Sequence, residues 1–419
     1  MGAMMGKTEA LRIAVLGGGP IGLEAALYAR KLELAVSVYE RGRVGEYLHR
    51  WGHVRMFSPF GMNCTGLGMK AILADNPRYQ FPAENQCLTG KEHLSAYLEP
   101  LAKSGALRDC LRADTQVLQV SRRGFLKEDD PGDAKRSRQP FRLLVREGKN
   151  RERIDEADVI LDCSGTYGQH RWMGDGGIPA IGEAACEGQI PYGLENVLGD
   201  RRGAYAGKNI IVVGGGYSAA TTVCNLATLA EEHSDTWIVW LARCTSTQPI
   251  PRYPNDPLRE RDRLAVRANT LATRGDGNVE FHNQCQIEAI ESAGPDRGFR
   301  LTARCGGKPR TWEADRLIGN VGYTPDTNLY RELQVHECYA TLAPINQAES
   351  IKKQKGPDVV STTSSATSAL RNSEPNFYIL GAKSYGRDSQ FLLRNGFQQV
   401  RDAFCHVLGK DGLNLYQAK

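Results

Sequence analysis

Residues 209–226 read NIIVVGGGYSAATTVCNL: an apolar run, three glycines, then small and apolar residues at helical spacing. The short apolar run suits a strand buried on both faces. TWIVWLAR, residues 236–243, reads as a second strand after the helix. Strand, glycine turn, helix and strand make a βαβ unit, since parallel strands require such a crossover. The same order opens the chain in LRIAVLGGGPIGLEAALYARKLELAVSVYE, residues 11–40.

The repetition continues past both units. TQVLQVSRRG (115–124) and FRLLVREGKNRERIDEADVILDCSG (141–165) follow the first. CQIEAIESAG (285–294) and FRLTARCGGKPRTWEADRLIGNVG (299–322) follow the second. Each copy reads as an antiparallel hairpin and then a strand ending at a glycine, Gly165 or Gly322. The interval from the Arg of FRL to that glycine is nearly equal, 142–165 against 300–322. A repeat this long is an architecture rather than a coincidence of composition. The fold class is therefore α/β, with two Rossmann-like units of which the second is nested in the first. Residues 346–375 are polar, Ser/Thr-rich and aperiodic, and read as a loop or insert. NFYILG (376–381) then reads as a strand and SQFLLRNGFQQVRDAFCHVL (389–408) as a helix.

With 419 residues, 41% hydrophobic and 24% charged, the chain has material for two to three cored domains. No apolar run has the length of a membrane span, and the opening MGAMMGKTEA has no apolar stretch of a secretion signal. Eleven cysteines without a Cys-x-x-Cys fit reduced thiols and a cytoplasmic location better than a disulfide framework. A net charge of +5, spread along the chain, gives no concentrated basic face for nucleic acid. His49 and His53 have the spacing of a helical metal pair, but nothing around them reads as helix and no His-Glu-x-x-His is present, so no metal site is assigned. Oligomeric state leaves no signal in the sequence.

Gly17-x-Gly19-x-x-Gly22 follows a strand and opens a helix with Pro20 and Ile21, as a dinucleotide fingerprint requires. The glycines allow a tight turn, close approach to a pyrophosphate and close helix–strand packing, and the helix N-terminus adds N–H groups and a positive dipole end. Glu40, followed by Arg41, ends the second strand, where a carboxylate accepts ribose hydroxyls. The second loop is Gly214-x-Gly216-x-x-Ala219, with Tyr217 and Ser218 opening its helix. Arg243 is read here at the strand end that Glu40 holds in the first unit. A guanidinium grips a 2′-phosphate bidentately, which favours NADPH over NADH. Arg252 follows as a further basic residue.

Two such folds, one strand ending in CSG (163–165) and another running into GNVGYTPD (319–326), resemble the two-dinucleotide-binding-domain flavoproteins. The resemblance implies FAD in the first domain, residues 1–195 and 313–419, and NADPH in an inserted domain, residues 196–312. It also adds Val117, Ser164, Gly165, Gly322 and Gly381 to the cofactor-binding set.

Within that superfamily, disulfide reductases use paired cysteines, and they carry a Gly-Asp near the C-terminus that holds the flavin side chain. Here Ala382 stands in the Asp position. The segment YLHRWGHVRMFSPFGMNCTGLG (47–68) is similar instead to class B flavin-dependent monooxygenases, with Trp51, Arg55, Ser58 and Pro59 matching their Trp-x-x-x-Arg-x-x-(Ser/Thr)-Pro. Their Phe-x-Gly-x-x-x-His pattern is incomplete here, because IPYGLENVLGDRRGAYAGK (190–208) has no histidine. The resemblance implies Arg55, Ser58 and Asn63 as catalytic polar groups. It further implies NADPH reduction of the flavin, a C4a-(hydro)peroxide made with molecular oxygen, and N-, S- or carbonyl-oxygenation of a small substrate. The alternatives are a flavin reductase of a thiol, quinone or protein acceptor, and a flavin-binding sensor without turnover.

Overall fold

A computed structural model describes residues 11–275, 277–294, 297–353 and 367–417. The chain divides into two compact units, one of residues 1–49, 58–168 and 325–419, the other of 50–57 and 169–324.

The first unit is built on a five-stranded parallel sheet in the order Phe377–Ile379, Val159–Asp162, Arg12–Leu16, Ala35–Tyr39, Leu111–Arg112. Its central strands are apolar because both faces are covered; Ile13 to Leu16 and Val159 to Leu161 are buried. Helix Pro20–Lys31 packs against helix Leu393–Leu408 at close range. A Cβ added to Gly396 would come within 2.4 Å of Ile21, and Tyr28 stacks on Phe404 at 5.2 Å. A three-stranded antiparallel sheet, Thr115–Arg122, Phe141–Glu147 and Arg151–Ala157, completes the unit.

The second unit repeats the plan with a parallel sheet in the order Val279–His282, Trp237–Leu241, Asn209–Val213, Arg316–Gly319. Its antiparallel sheet is Cys285–Ser292, Phe299–Cys305 and Lys308–Ala314. The two antiparallel sheets match strand for strand. Each first strand carries a register shift at the same place, between Val117 and Gln119 or between Ile287 and Ala289. Each middle strand buries alternate residues, Phe141, Leu143 and Val145 or Phe299, Leu301 and Ala303, as a period of two demands.

Residues 169–195 fall in the second unit rather than the first. Backbone contacts tie this segment there: Gly174 bridges to Ile287, Ile181 bridges to Ala289, and Gly319 N–H donates to Pro191 O at 3.0 Å. The fully buried Glu183 braces the segment internally, accepting from the N–H groups of Met173 (2.8 Å) and Ala180 (2.8 Å) and from the Tyr192 hydroxyl (2.8 Å). Tyr192 in turn stacks on His170 at 3.6 Å, and Arg171 N–H bonds the carbonyl of Gly322. The polar stretch expected as a loop over 346–375 contains helix Ile345–Lys353 and a short turn, Thr367–Leu370; residues 354–366 lie outside the described residues.

Two other features were hidden in the sequence. Cys285 and Cys305 occupy the first rung of their hairpin, Cα atoms 4.1 Å apart, and form a disulfide, while the other nine cysteines are free. Glu374 is buried between two buried arginines, with Arg122 Nε at 2.9 Å and Arg136 Nη2 at 2.8 Å. Among the described residues no helix is long and apolar enough to cross a membrane.

Candidate functional site

Both glycine loops lie at the C-terminal ends of parallel strands, where open α/β sheets bind ligands. In the first unit, Gly17 N–H donates to Tyr39 O at 2.8 Å. Gly17 sits at φ +102°, and an added Cβ would meet Cys163 O at 2.8 Å, so no side chain fits there. Gly19 is different. Its φ of −82° is ordinary, and nothing lies within 4 Å of its Cβ position. The protein itself does not need glycine at 19; the open cradle suits a pyrophosphate on the N–H groups of the helix opened by Pro20 and Ile21. Glu40 accepts from Gly18 N–H (2.7 Å) and Gly42 N–H (2.9 Å), one bond to each oxygen. Each oxygen keeps a lone pair for a ribose hydroxyl. Arg41 leans over the Tyr47 ring at 5.3 Å. Val117 lies at the register shift of its sheet, and Gly165 and Gly381 both take φ near +71° at the ends of neighbouring strands.

The second loop copies this geometry. Gly214 N–H donates to Leu241 O at 2.9 Å, and its Cβ position is 2.3 Å from Asn320 O. Gly216, like Gly19, has open space at its Cβ position. Tyr217 and Ser218 begin helix Tyr217–Glu232, and Ala219 is buried in its first turn. Phe57 meets the Tyr217 ring edge-on at 5.4 Å. Gly322 takes φ +86° after its strand, matching Gly165.

The register corrects one sequence inference. Leu16 pairs with Tyr39, and Val213 pairs with Leu241, so the residue matching Glu40 is Ala242 and the match of Arg243 is Arg41. The Cβ positions agree, since Gly18 faces Glu40 and Gly215 faces Ala242. An alanine there removes the carboxylate that would repel a 2′-phosphate, and an exposed Arg243 stands next to it. Arg252 is taken up by Asp262 through bonds of 2.8 and 3.1 Å.

Arg55 is exposed and belongs to the second unit, whereas Ser58 and Asn63 are buried in the first. Ser58 Oγ donates to Asn63 Oδ1 at 2.8 Å, and Asn63 Nδ2 donates back to Ser58 O at 2.9 Å. Asn63 is thus held by both the hydroxyl and the backbone carbonyl of Ser58.

Residues 14–126 match a family described as pyridine nucleotide-disulphide oxidoreductase. No curated protein sequence matches the chain. Solved structures match nearly end to end. A bacillithiol disulfide reductase, Bdr (YpdA), from Bacillus cereus is 18% identical, with a TM-score of 0.66 over 95% of this chain and 98% of that one. The FAD-bound cadaverine monooxygenase DfoA from Erwinia amylovora is 15% identical, with a TM-score of 0.60 over 98% of each chain. An ornithine N-hydroxylase, KtzI, from Kutzneria sp. 744 is 14% identical, with a TM-score of 0.58 over 96% of this chain and 100% of that one. The chain has the two-dinucleotide-binding-domain flavoprotein fold.

In this flavoprotein fold, three charged residues near the first loop, Asp162, Lys383 and Glu24, are buried. Asp162 and Lys383 are fully buried and paired at 2.7 Å, Lys383 Nζ also reaching Ser164 Oγ at 3.0 Å. The only sequence signal was a lone charge in each of two strand-end motifs, VILDCSG and YILGAKS. Glu24 is buried in helix Pro20–Lys31, and Thr65 Oγ donates to its carboxylate at 3.0 Å. Burial raises the Glu24 pKa from 4.5 to about 7, the Thr65 bond opposing the shift. The folded chain thus holds a proton that the unfolded chain releases. Glu24 protonation supports stability fully below about pH 4.5 and loses that support as pH rises through about 7, a change on the order of 3 kcal/mol. Buried His93, lowered to about 4, slopes the other way at lower pH. Glu24→Gln should therefore unfold at the same urea concentration as wild type near pH 4.5 and at a higher one near pH 8; a constant difference between the two proteins contradicts the assignment.

Cys64 and Cys163 of the first unit are poorly disposed to sulfur chemistry. Burial pushes Cys64 up to about 12 and Cys163 well above the usual thiol range. A reactive cysteine needs the opposite shift.

Proposed function

We propose that this chain is an FAD- and NADPH-dependent oxidoreductase that oxygenates a small molecule. The observation that carries the reading is the pair of open glycine cradles with opposite flanks, Glu40 beside the first and Ala242–Arg243 beside the second. FAD, when bound, accepts hydride from NADPH and passes the electrons on. The protein's share is to hold and orient. Gly19 gives the FAD pyrophosphate room, Glu40 accepts from the adenosine ribose, Gly216 gives NADPH the same room, and Arg243 binds its 2′-phosphate. In this reading the unit of residues 1–49, 58–168 and 325–419 would hold FAD and the unit of residues 50–57 and 169–324 would hold NADPH.

Oxygen is favoured as the acceptor because burial pushes the Cys64 and Cys163 thiols up, away from the thiolate that disulfide exchange needs. Reduction of a thiol, quinone or protein acceptor is the second reading, supported by the end-to-end match to a disulfide reductase. Turnover with NADPH in air separates them. Oxygen uptake that exceeds peroxide release when an amine, thioether or ketone is added supports oxygenation. Peroxide that accounts for all oxygen consumed with every such compound, together with NADPH-driven disulfide or quinone reduction, contradicts it.

The coenzyme preference has its own test. Arg243→Glu is expected to raise KM for NADPH about tenfold to a hundredfold, with little change for NADH, because a charge-assisted phosphate contact becomes a repulsion. An unchanged ratio of kcat/KM values refutes the role of Arg243.

A further inference from the structure

Ser164 is exposed beside the first glycine loop, with its Cα 3.0 Å from the Cβ position of Gly17. Its hydrogen-bonding capacity is almost wholly committed. The hydroxyl proton goes to Asp162 Oδ1 at 2.6 Å, and the backbone N–H goes to the same oxygen at 3.1 Å. Lys383 Nζ donates to Ser164 Oγ at 3.0 Å and to Asp162 Oδ2 at 2.7 Å. A hydroxyl has one proton and two lone pairs. One lone pair of Ser164 is left, and no donor.

The partners are fixed in turn. Asp162 and Lys383 have no solvent exposure, and the Tyr330 ring faces the ammonium at 5.1 Å. Reversing the Ser164 hydroxyl would leave a buried carboxylate oxygen without its shortest bond and aim the proton away from Asp162. In a buried ion pair that loss is costly. The exposed face of Ser164 is therefore an acceptor only, and it lies over a neutral pair that offers no net attraction to an anion.

We propose that Ser164 accepts a hydrogen bond from one hydroxyl of the bound dinucleotide, and that Asp162 and Lys383 are positioning residues that hold it in that polarity. The inference rests on the first loop binding FAD. A phosphate oxygen, which needs a donor, is excluded from this position, and a sugar or ribityl hydroxyl is what fits. The pair thus sorts the ligand's surface, phosphates to the helix N-terminus at Gly19 and a hydroxyl to Ser164.

The test is affinity, read by fluorescence as apoprotein binds FAD or FAD analogues that each lack one ribityl or ribose hydroxyl. Ser164→Ala should weaken FAD binding about tenfold. One analogue should bind wild type about tenfold more weakly than FAD does and bind Ser164→Ala with no further loss. Ser164→Thr, which keeps the hydroxyl, should bind as wild type. A fluoro analogue at the same position, which cannot donate, should bind wild type more weakly than the deoxy analogue does and lose that extra penalty in the double variant Asp162→Leu/Lys383→Met, whose Ser164 hydroxyl is free to donate. Unchanged FAD affinity in Ser164→Ala, or an equal loss on every analogue, overturns the inference alone. A folded wild type without affinity for FAD overturns the cofactor reading with it.

Discussion

Gly19→Val is expected to abolish FAD binding while leaving NADPH binding intact, and Gly216→Val to do the reverse. Both glycines have extended backbone that valine adopts, and both face open space. The folded protein therefore tolerates either side chain, at a cost of about 1 kcal/mol for a poorer helix N-cap. A dinucleotide does not tolerate it, because the isopropyl group occupies the space the pyrophosphate would take. Loss of two charge-assisted contacts corresponds to at least about a hundredfold in affinity. FAD content after purification and equilibrium binding of NADP⁺ read the two sites separately. If either variant loses both ligands, or neither, the two loops do not serve separate dinucleotides.

Glu374→Ala is expected to destabilise the first unit by about 3–5 kcal/mol, since it strands two buried positive charges. Arg122 and Arg136 have no exposed surface, and Glu374 supplies the carboxylate oxygens that both of them bond. The contact ties the antiparallel sheet to the strand Phe377–Ile379, because Arg122 also donates to Pro375 O, one residue after Glu374. Urea unfolding followed in the first unit measures the loss. A cost under about 1 kcal/mol would mean that water reaches the arginines and the triad is not a buried one.

The fold was legible because each layer of the repeat has its own period. The apolar runs, the glycine loops and the alternating FRL strands all recur, and no single one had to decide alone. Register was less legible. Glu40 and Arg243 both read as strand ends, whereas the ladder places Ala242 at the position matching Glu40, and an alanine carries no signal. The Asp162–Lys383 pair joins residues far apart in sequence, and only the adjacency of strands Val159–Asp162 and Phe377–Ile379 brings them together. The Cys285–Cys305 bond depends on hairpin register in the same way. Helix Ile345–Lys353 was hidden by its polarity, although Gln, Ala, Glu and Lys are good helix formers. The Trp51 to Pro59 match read as one constellation, but local spacing cannot show that residues 50–57 and 58 onward fold into different units.

If the first loop holds FAD and the second its NADPH donor, the two must react with each other. Anaerobic rapid mixing of the FAD-loaded protein with NADPH, and separately with NADH, measures that reaction. NADPH is expected to bleach the flavin absorbance at a rate that saturates with coenzyme concentration and reaches half-maximum at far lower NADPH than NADH. A protein that carries FAD but is bleached by neither coenzyme, or by NADH in preference, contradicts this assignment of the two loops.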